Sequence, residues 1–100
     1  MIFDIQENNG TINAALKGLL DTAAAAAASS EIQPLIDHAD KEIVIDCKEL
    51  EYISSSGLRL LLTVRKATIA QGGKVVMKNI NDDIRQVFTM TGFMSLFEIQ

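Results

Sequence analysis

Three consecutive serines followed by a glycine, Ser54 to Gly57, are the residues of this chain whose types and spacing could support chemistry. They follow an apolar segment and precede Leu58, where an apolar stripe with helical spacing begins. A helix N-terminus presents unpaired N–H groups and partial positive charge, so it stabilises a phosphate. The cluster could therefore carry a phosphate on a serine without unfolding the domain. From the residues alone, the alternative is a turn with an N-cap, which serines provide without modification.

The composition of the chain indicates one globular domain over residues 1–100. Hydrophobic residues make up 48% of the sequence, enough for a core in a chain of this length. Thirteen acidic and nine basic side chains give a net charge of −4, without a stripe of Lys and Arg. We therefore expect no nucleic-acid partner.

The sequence predicts a cytoplasmic protein without direct membrane insertion. The segment Met1–Asp4 lacks the basic start and apolar core of a signal peptide. The most apolar segments are short or interrupted by charged residues, so none could span a bilayer.

The residue types typical of enzymes are scarce and badly placed for catalysis. The single cysteine, Cys47, ends an apolar segment and is interpreted as a buried thiol. The single histidine, His38, lies near a predicted helix end with no nucleophile beside it. Metal-ligand spacings, Walker motifs and dinucleotide fingerprints are absent from the sequence. We expect a protein that is not an enzyme and that uses no cofactor or metal.

The first half of the chain predicts a hairpin and one long helix. Asn9-Gly10 lies between alternating segments at 2–7 and 11–17, which is a strong hairpin signal. Asp21 or Thr22 then caps a helix. The apolar spacing continues across Pro34 to Ala39, which favours one helix with a kink at the proline over two separate helices.

The second half alternates strands and helices. A strand at 43–47, buried on both faces, is followed by a loop at 48–54 and by a helix from about Ser56 to Gln71. One side of that helix is marked by Leu58, Leu61, Leu62, Arg65 and Ile69, and the apolar face is widened by Leu60, Val64 and Ala67. Gly72-Gly73 ends that helix, a strand follows at 74–78, Asn81 caps a last helix that Gly92 ends, and Phe97–Ile99 forms a short edge strand. The predicted fold class is α/β, a mixed sheet of about four to five strands packed by helices in the order ββαβαβα(β).

Nearly the whole chain resembles the STAS domain, the family of anti-sigma factor antagonists and sulfate-transporter C-terminal domains. The resemblance lies in Gly18-x-Leu20-Asp21-Thr22, in Asp46-Cys47, in Leu50-x-Tyr52-Ile53-Ser54-Ser55-Ser56-Gly57-Leu58, in Gly72-Gly73 and in Thr91-Gly92-Phe93-x-x-Leu96-Phe97-x-Ile99. The resemblance implies that Ser55 is the phosphorylated residue and that Ser54 replaces an aspartate of the family motif, with Ser56 and Gly57 following. Asp21 matches an acidic family position close to this loop.

The resemblance also implies a function and its partners. The protein is expected to bind an anti-sigma factor with serine kinase activity, to release it when Ser55 is phosphorylated, and to be restored by a serine phosphatase. The segment 48–57 and the first turn of the next helix form the expected partner surface, with Arg59 either a contact or an ordinary solvated charge. The alternative is a non-phosphorylated STAS accessory subunit of a membrane transport system. Many family members continue into a final helix, so one face of the sheet is expected to be bare or covered by a partner.

Overall fold

Five strands form one sheet in the order in which they occur along the chain. The computed structural model describes residues 3–100. Its strands are β1 (Phe3–Asn8), β2 (Thr11–Leu20), β3 (Glu42–Ile53), β4 (Lys74–Lys78) and β5 (Glu98–Ile99). β1 pairs antiparallel with β2, and every later pair of neighbours is parallel. The predicted α/β class with a mixed sheet is confirmed.

Four helices connect the strands. They are α1 (Thr22–Ala28), α2 (Gln33–Asp37), α3 (Ser55–Gln71) and α4 (Asp82–Thr91), with a 3₁₀ turn at Phe93–Ser95. None of these helices is both long and apolar enough to cross a bilayer.

The predicted hairpin and helix ends are confirmed. Asn9 and Gly10 both have positive φ, 51° and 82°, as a two-residue type I′ turn requires. The side chain of Asn81 accepts a hydrogen bond from the N–H of Ile84 at 2.9 Å and so caps α4. Gly72 ends α3 in the left-handed conformation, with φ 86°.

The expectation of one kinked helix was wrong, because the segment forms α1 and α2 separately. The hydroxyls of Ser29 and Ser30 donate back to the carbonyls of Ala26 and Ala27, which closes α1. Pro34 then lies in the first turn of α2, where its missing N–H removes no helical hydrogen bond.

The prediction of a loop at 48–54 is also wrong for residues 48–53, because β3 continues to Ile53. β2 likewise continues to Leu20, which pairs with Ile53. The register between the two strands shifts twice along this stretch, at 15–17 and at 18–19. These irregularities disturb the strict alternation of polar and apolar residues by which a strand is recognised in a sequence.

One face of the sheet carries the core, so the prediction that β3 is buried on both faces was wrong. Ile43, Ile45 and Cys47 are fully buried, whereas the intervening Val44 and Asp46 are only half-buried. Helices α1, α3 and α4 contribute to the same core cluster as Ile43 and Ile45, through Ala25, Leu61 and Phe88 among others. These helices therefore pack on one side of the sheet.

The apolar face of α3 differs from the prediction at one position. Ile69 is exposed and Thr68 is buried in its place. Thr68 satisfies its hydroxyl by donating to the carbonyl of Arg65 at 2.7 Å. Sequence pattern alone favours isoleucine over threonine for a buried position, because a hydroxyl needs a partner that the pattern does not reveal.

Candidate functional site

The serine cluster lies where two parallel strands end and two helices begin. Leu20 and Ile53 are paired at the ends of β2 and β3. Each is followed by an N-cap residue, Asp21 for α1 and Ser54 for α3. Because the carboxyl ends of parallel strands meet at one edge of a sheet, the two helix N-termini lie side by side.

Ser54 is held by three hydrogen bonds. Its backbone N–H and its Oγ both donate to the carbonyl of Leu20, at 2.9 and 3.1 Å. The same Oγ accepts from the N–H of Gly57 at 3.1 Å, which caps the helix. The hydroxyl therefore ties the start of α3 to the end of β2.

Ser55 and Ser56 are the first two residues of α3 and differ from Ser54. Ser55 is exposed, and Ser56 is half-buried. Among residues 3–100, neither hydroxyl makes a hydrogen bond, in contrast to that of Ser54. The N–H groups of the first helical residues have no intrahelical partner, and the N-cap satisfies only that of Gly57. Ser55 thus combines an accessible hydroxyl with unpaired donors beside it.

Asp21 places a carboxylate at the neighbouring helix start. Its side chain accepts from the N–H of Ala24 at 2.8 Å and is half-buried. The predicted helix cap is confirmed. Because Ser54 bonds to the carbonyl of Leu20, the residue directly before Asp21, this carboxylate is fixed next to the serine cluster.

Gly57 is buried, and its part in the site is close packing. A Cβ at this position would lie 2.8 Å from Cγ of Leu20 and 2.9 Å from Cγ1 of Ile53. The absence of a side chain lets the first turn of α3 rest directly on the strand ends. Arg59 is exposed and lies one helical turn after Ser55.

Sequence reasoning assigned no role to Leu19 or to the carbonyl of Leu20, and it included Tyr52 only as part of the segment 48–57. The carbonyl of Leu20 anchors Ser54, although a carbonyl leaves no mark in a sequence. Leu19 and Tyr52 are paired and exposed beside the cluster. Their pairing depends on the register shifts, which the sequence does not reveal. Only the structure shows that these two apolar side chains are neighbours and that both are exposed.

The groups considered for catalysis do not come together. Cys47 is buried, and burial together with the charge of Asp46 raises the pKa of its thiol to about 12. His38 is exposed at the end of α2. Within the part of the chain that the structure describes, no three side chains of His, Cys, Asp or Glu are grouped as metal ligands.

Comparisons with known proteins agree on one family. The model of the STAS domain matches residues 3–100. A Bordetella bronchiseptica protein with the provisional name anti-sigma factor antagonist BtrV is 33% identical over 91 residues, which cover 91% of this chain and 78% of that protein. The anti-sigma-B factor antagonist of Bacillus subtilis is 26% identical over 97 residues, 96% of this chain and 87% of its own length.

The fold agrees with solved structures of another antagonist. The unphosphorylated form of the Bacillus anti-sigma factor antagonist SpoIIAA superposes with a TM-score of 0.73 at 22% identity and covers 98% of this chain and 86% of its own. Its phosphorylated form gives a TM-score of 0.72 at 23% identity, with coverage of 98% and 90%.

Proposed function

The chain belongs to the STAS domain family, and on that premise we propose that it is an anti-sigma factor antagonist switched by phosphorylation of Ser55. The unmodified protein binds an anti-sigma factor that is also a serine kinase. The phosphorylated protein releases it, and a serine phosphatase restores binding. The role is one of binding rather than catalysis, and it operates in the cytoplasm, where ATP is available to the kinase.

The observation that carries this proposal is the difference between Ser54 and Ser55. A kinase needs a hydroxyl that can enter its active site, and Ser55 is exposed at the start of α3. The Oγ of Ser54 is engaged with Leu20 and Gly57, so phosphorylation there would break the helix cap. A phosphate on Ser55 would instead lie near unpaired N–H groups at the positive end of the helix dipole.

The release step follows from charge. Phosphorylation adds about −1.5 to −2 charges at neutral pH. The helix N-terminus tolerates that charge in the free protein, with a contribution on the order of 0.3–1 kcal/mol. In a packed interface the phosphate must lose water, and the carboxylate of Asp21 adds repulsion. A penalty of roughly 3 kcal/mol would weaken binding by about two orders of magnitude.

The anti-sigma factor is supported as the partner by the names of the relatives, two of which are antagonists of such factors. The binding surface comprises Asp21, Ser55, Ser56 and Arg59 together with the exposed Lys48 and Glu51 of β3. Ser54 and Gly57 position this surface, because they fix the start of α3 on the ends of β2 and β3.

Co-purification of the tagged protein from its own cells, followed by phosphopeptide mapping, tests the proposal. We expect an anti-sigma factor to accompany the unmodified protein and phosphate to be found on Ser55. Recovery of membrane transporter subunits with an unphosphorylated protein would favour the accessory-subunit function instead. Phosphate found chiefly on Ser54 would contradict the assignment of the acceptor.

A further inference from the structure

Two large apolar side chains are exposed side by side next to the serine cluster. Leu19 is 55% exposed and Tyr52 is 50% exposed. They are paired in the register of β2 and β3, so their backbones lie about 4.8 Å apart. Singly exposed apolar residues are common on protein surfaces, but two in register on adjacent strands form a continuous apolar contact surface. We call this pair the apolar anchor.

The strands hold the anchor on the side of the sheet opposite to the core. Leu20 and Ile53, the next residues on each strand, are buried in the core beneath the helices. Successive side chains of a strand point to opposite faces, which directs Leu19 and Tyr52 outwards. Gly18, with φ 79°, and the register shift after it bring the two apolar residues level with each other. Backbone pairing fixes their Cα positions, so a partner that covers them orders only the side chains and no backbone.

The anchor is continuous with the proposed switch surface. Asp21 follows Leu19 by two residues, and Ser54 follows Tyr52 by two residues. At about 3.3 Å per residue, each N-cap lies within roughly 7 Å of the anchor along its strand. A partner that covers this edge of the sheet can therefore contact Leu19 and Tyr52 together with Ser55.

The charges around the anchor select the kind of partner. Three carboxylates, those of Asp21, Glu49 and Glu51, lie close to it in sequence and register, and they outnumber the two nearby lysines, Lys17 and Lys48. The nearby Lys17 already approaches Asp4 and Glu49, at 4.0 and 3.8 Å. A second copy of this chain, with net charge −4, would bring the same carboxylates against one another. A basic rim on a different protein would complement them.

We propose that Leu19 and Tyr52 insert into an apolar pocket with a basic rim on the anti-sigma factor and supply binding energy that does not depend on phosphorylation. The inference rests on the proposed function and names two further contact residues for it. The interface then has two parts. The anchor raises the affinity for the anti-sigma factor in both the unmodified and the phosphorylated protein. Ser55 determines by what factor the affinities of these two forms differ.

The experiment compares three threonine variants by calorimetry against the recombinant anti-sigma factor recovered by co-purification. Leu19→Thr and Tyr52→Thr introduce a smaller, β-branched side chain that suits a strand. Ile69→Thr is the matched control, since Ile69 is 63% exposed on α3. We expect each anchor variant to weaken binding roughly tenfold or more, and the control to bind within about twofold of the parent. Thermal unfolding confirms that all three remain folded.

A second arm combines Tyr52→Thr with Ser55→Ala and with Ser55→Asp. The affinity ratio between these double variants should equal the ratio between the single Ser55 variants, because the anchor acts in both states.

Unchanged affinity of both anchor variants, with Ser55→Asp still weakening the complex, would overturn the anchor and leave the switch intact. Failure of the parent protein to bind any anti-sigma factor would overturn the proposed function and the anchor with it. A concentration-dependent dimer that Tyr52→Thr dissociates would show that the pair contacts a second copy, and would also overturn the proposal.

Discussion

Ser54 and Ser55 are adjacent in the sequence and have different environments in the structure. The hydroxyl of Ser54 is fixed by Leu20 and Gly57, and that of Ser55 faces solvent. A residue that caps a helix and bridges to a strand contributes to stability, whereas an exposed residue at the same edge is available to partners and enzymes. The two tasks can be separated by single substitutions.

The first prediction concerns Ser54. Ser54→Ala removes two hydrogen bonds of the hydroxyl, the one accepted from the N–H of Gly57 and the one donated to the carbonyl of Leu20. The bond from the backbone N–H of residue 54 to the same carbonyl remains. We expect a loss of about 1–2 kcal/mol in the free energy of unfolding. Ser56→Ala is the control and should change it by less than about 0.5 kcal/mol. Equal unfolding midpoints in urea for the two variants would show that the hydroxyl of Ser54 does not cap the helix.

The second prediction concerns Ser55. Ser55→Ala should bind the anti-sigma factor constitutively, while Ser55→Asp should bind it more weakly, because a carboxylate resembles a phosphate in sign but carries less charge. The melting temperatures of the two variants should be nearly equal, since an acidic residue is tolerated in a first helical turn. Calorimetry and thermal unfolding measure the two quantities. Equal affinities for the two variants would argue against the switch.

At the scale of elements, the approach of α3 to the strand ends depends on Gly57. Gly57→Ala would place a Cβ 2.8 Å from Leu20 and 2.9 Å from Ile53, both packed in the core. We expect about 1–3 kcal/mol of destabilisation and weaker binding of the anti-sigma factor, because the start of α3 must shift. Denaturation and calorimetry at a temperature where the variant is folded separate these effects.

Gly73→Ala is the control for that prediction. Its Cβ would lie 2.1 Å from the carbonyl oxygen of Ala39 and 2.4 Å from that of Lys41, so it should destabilise the protein at least as strongly. This clash lies at the other end of α3, far from Ser55, and the folded fraction should bind normally. Normal binding by Gly57→Ala as well would show that partners do not sense the position of α3.

Sequence pattern predicted the elements whose signals are local. The Asn9-Gly10 turn, the caps at Asp21 and Asn81 and the glycine helix ends were recognisable because each rests on residues within four positions of one another. The missed features depend on distant partners. β3 continues to Ile53 because β2 pairs with it, and Ser54 is fixed by a carbonyl 34 residues away. The family motif located the serine cluster, but only the contacts distinguish its three hydroxyls.

At the scale of the whole molecule, the main core cluster lies on one side of the sheet, and the other side carries ion pairs together with a few apolar side chains, among them Leu19, Tyr52 and the buried Val76. Lys74 approaches Glu42 at 3.2 Å and Glu98 at 3.8 Å across neighbouring strands. Such exposed ion pairs contribute little to stability. Stability therefore resides in the one buried cluster, and a titratable group inside that cluster reports on the folding of the entire domain.

Cys47 is that group, and it carries the last prediction. Burial raises the pKa of its thiol from 9.0 to about 12, with the charge of Asp46 acting in the same direction. Above about pH 9 the unfolded chain loses this proton while the folded chain keeps it, so the stabilisation present at lower pH is lost progressively as the pH approaches 12. By about pH 10 the free energy of unfolding of the parent protein should have fallen by about 1.4 kcal/mol relative to neutral pH because of this group.

Cys47→Ala should be less stable than the parent at neutral pH, because it leaves a small cavity, but its stability should not show this decline with pH. The difference between the two proteins in urea unfolding should therefore narrow between about pH 8 and pH 10. Parallel pH profiles would show that the thiol titrates in the folded protein as it does in the unfolded chain.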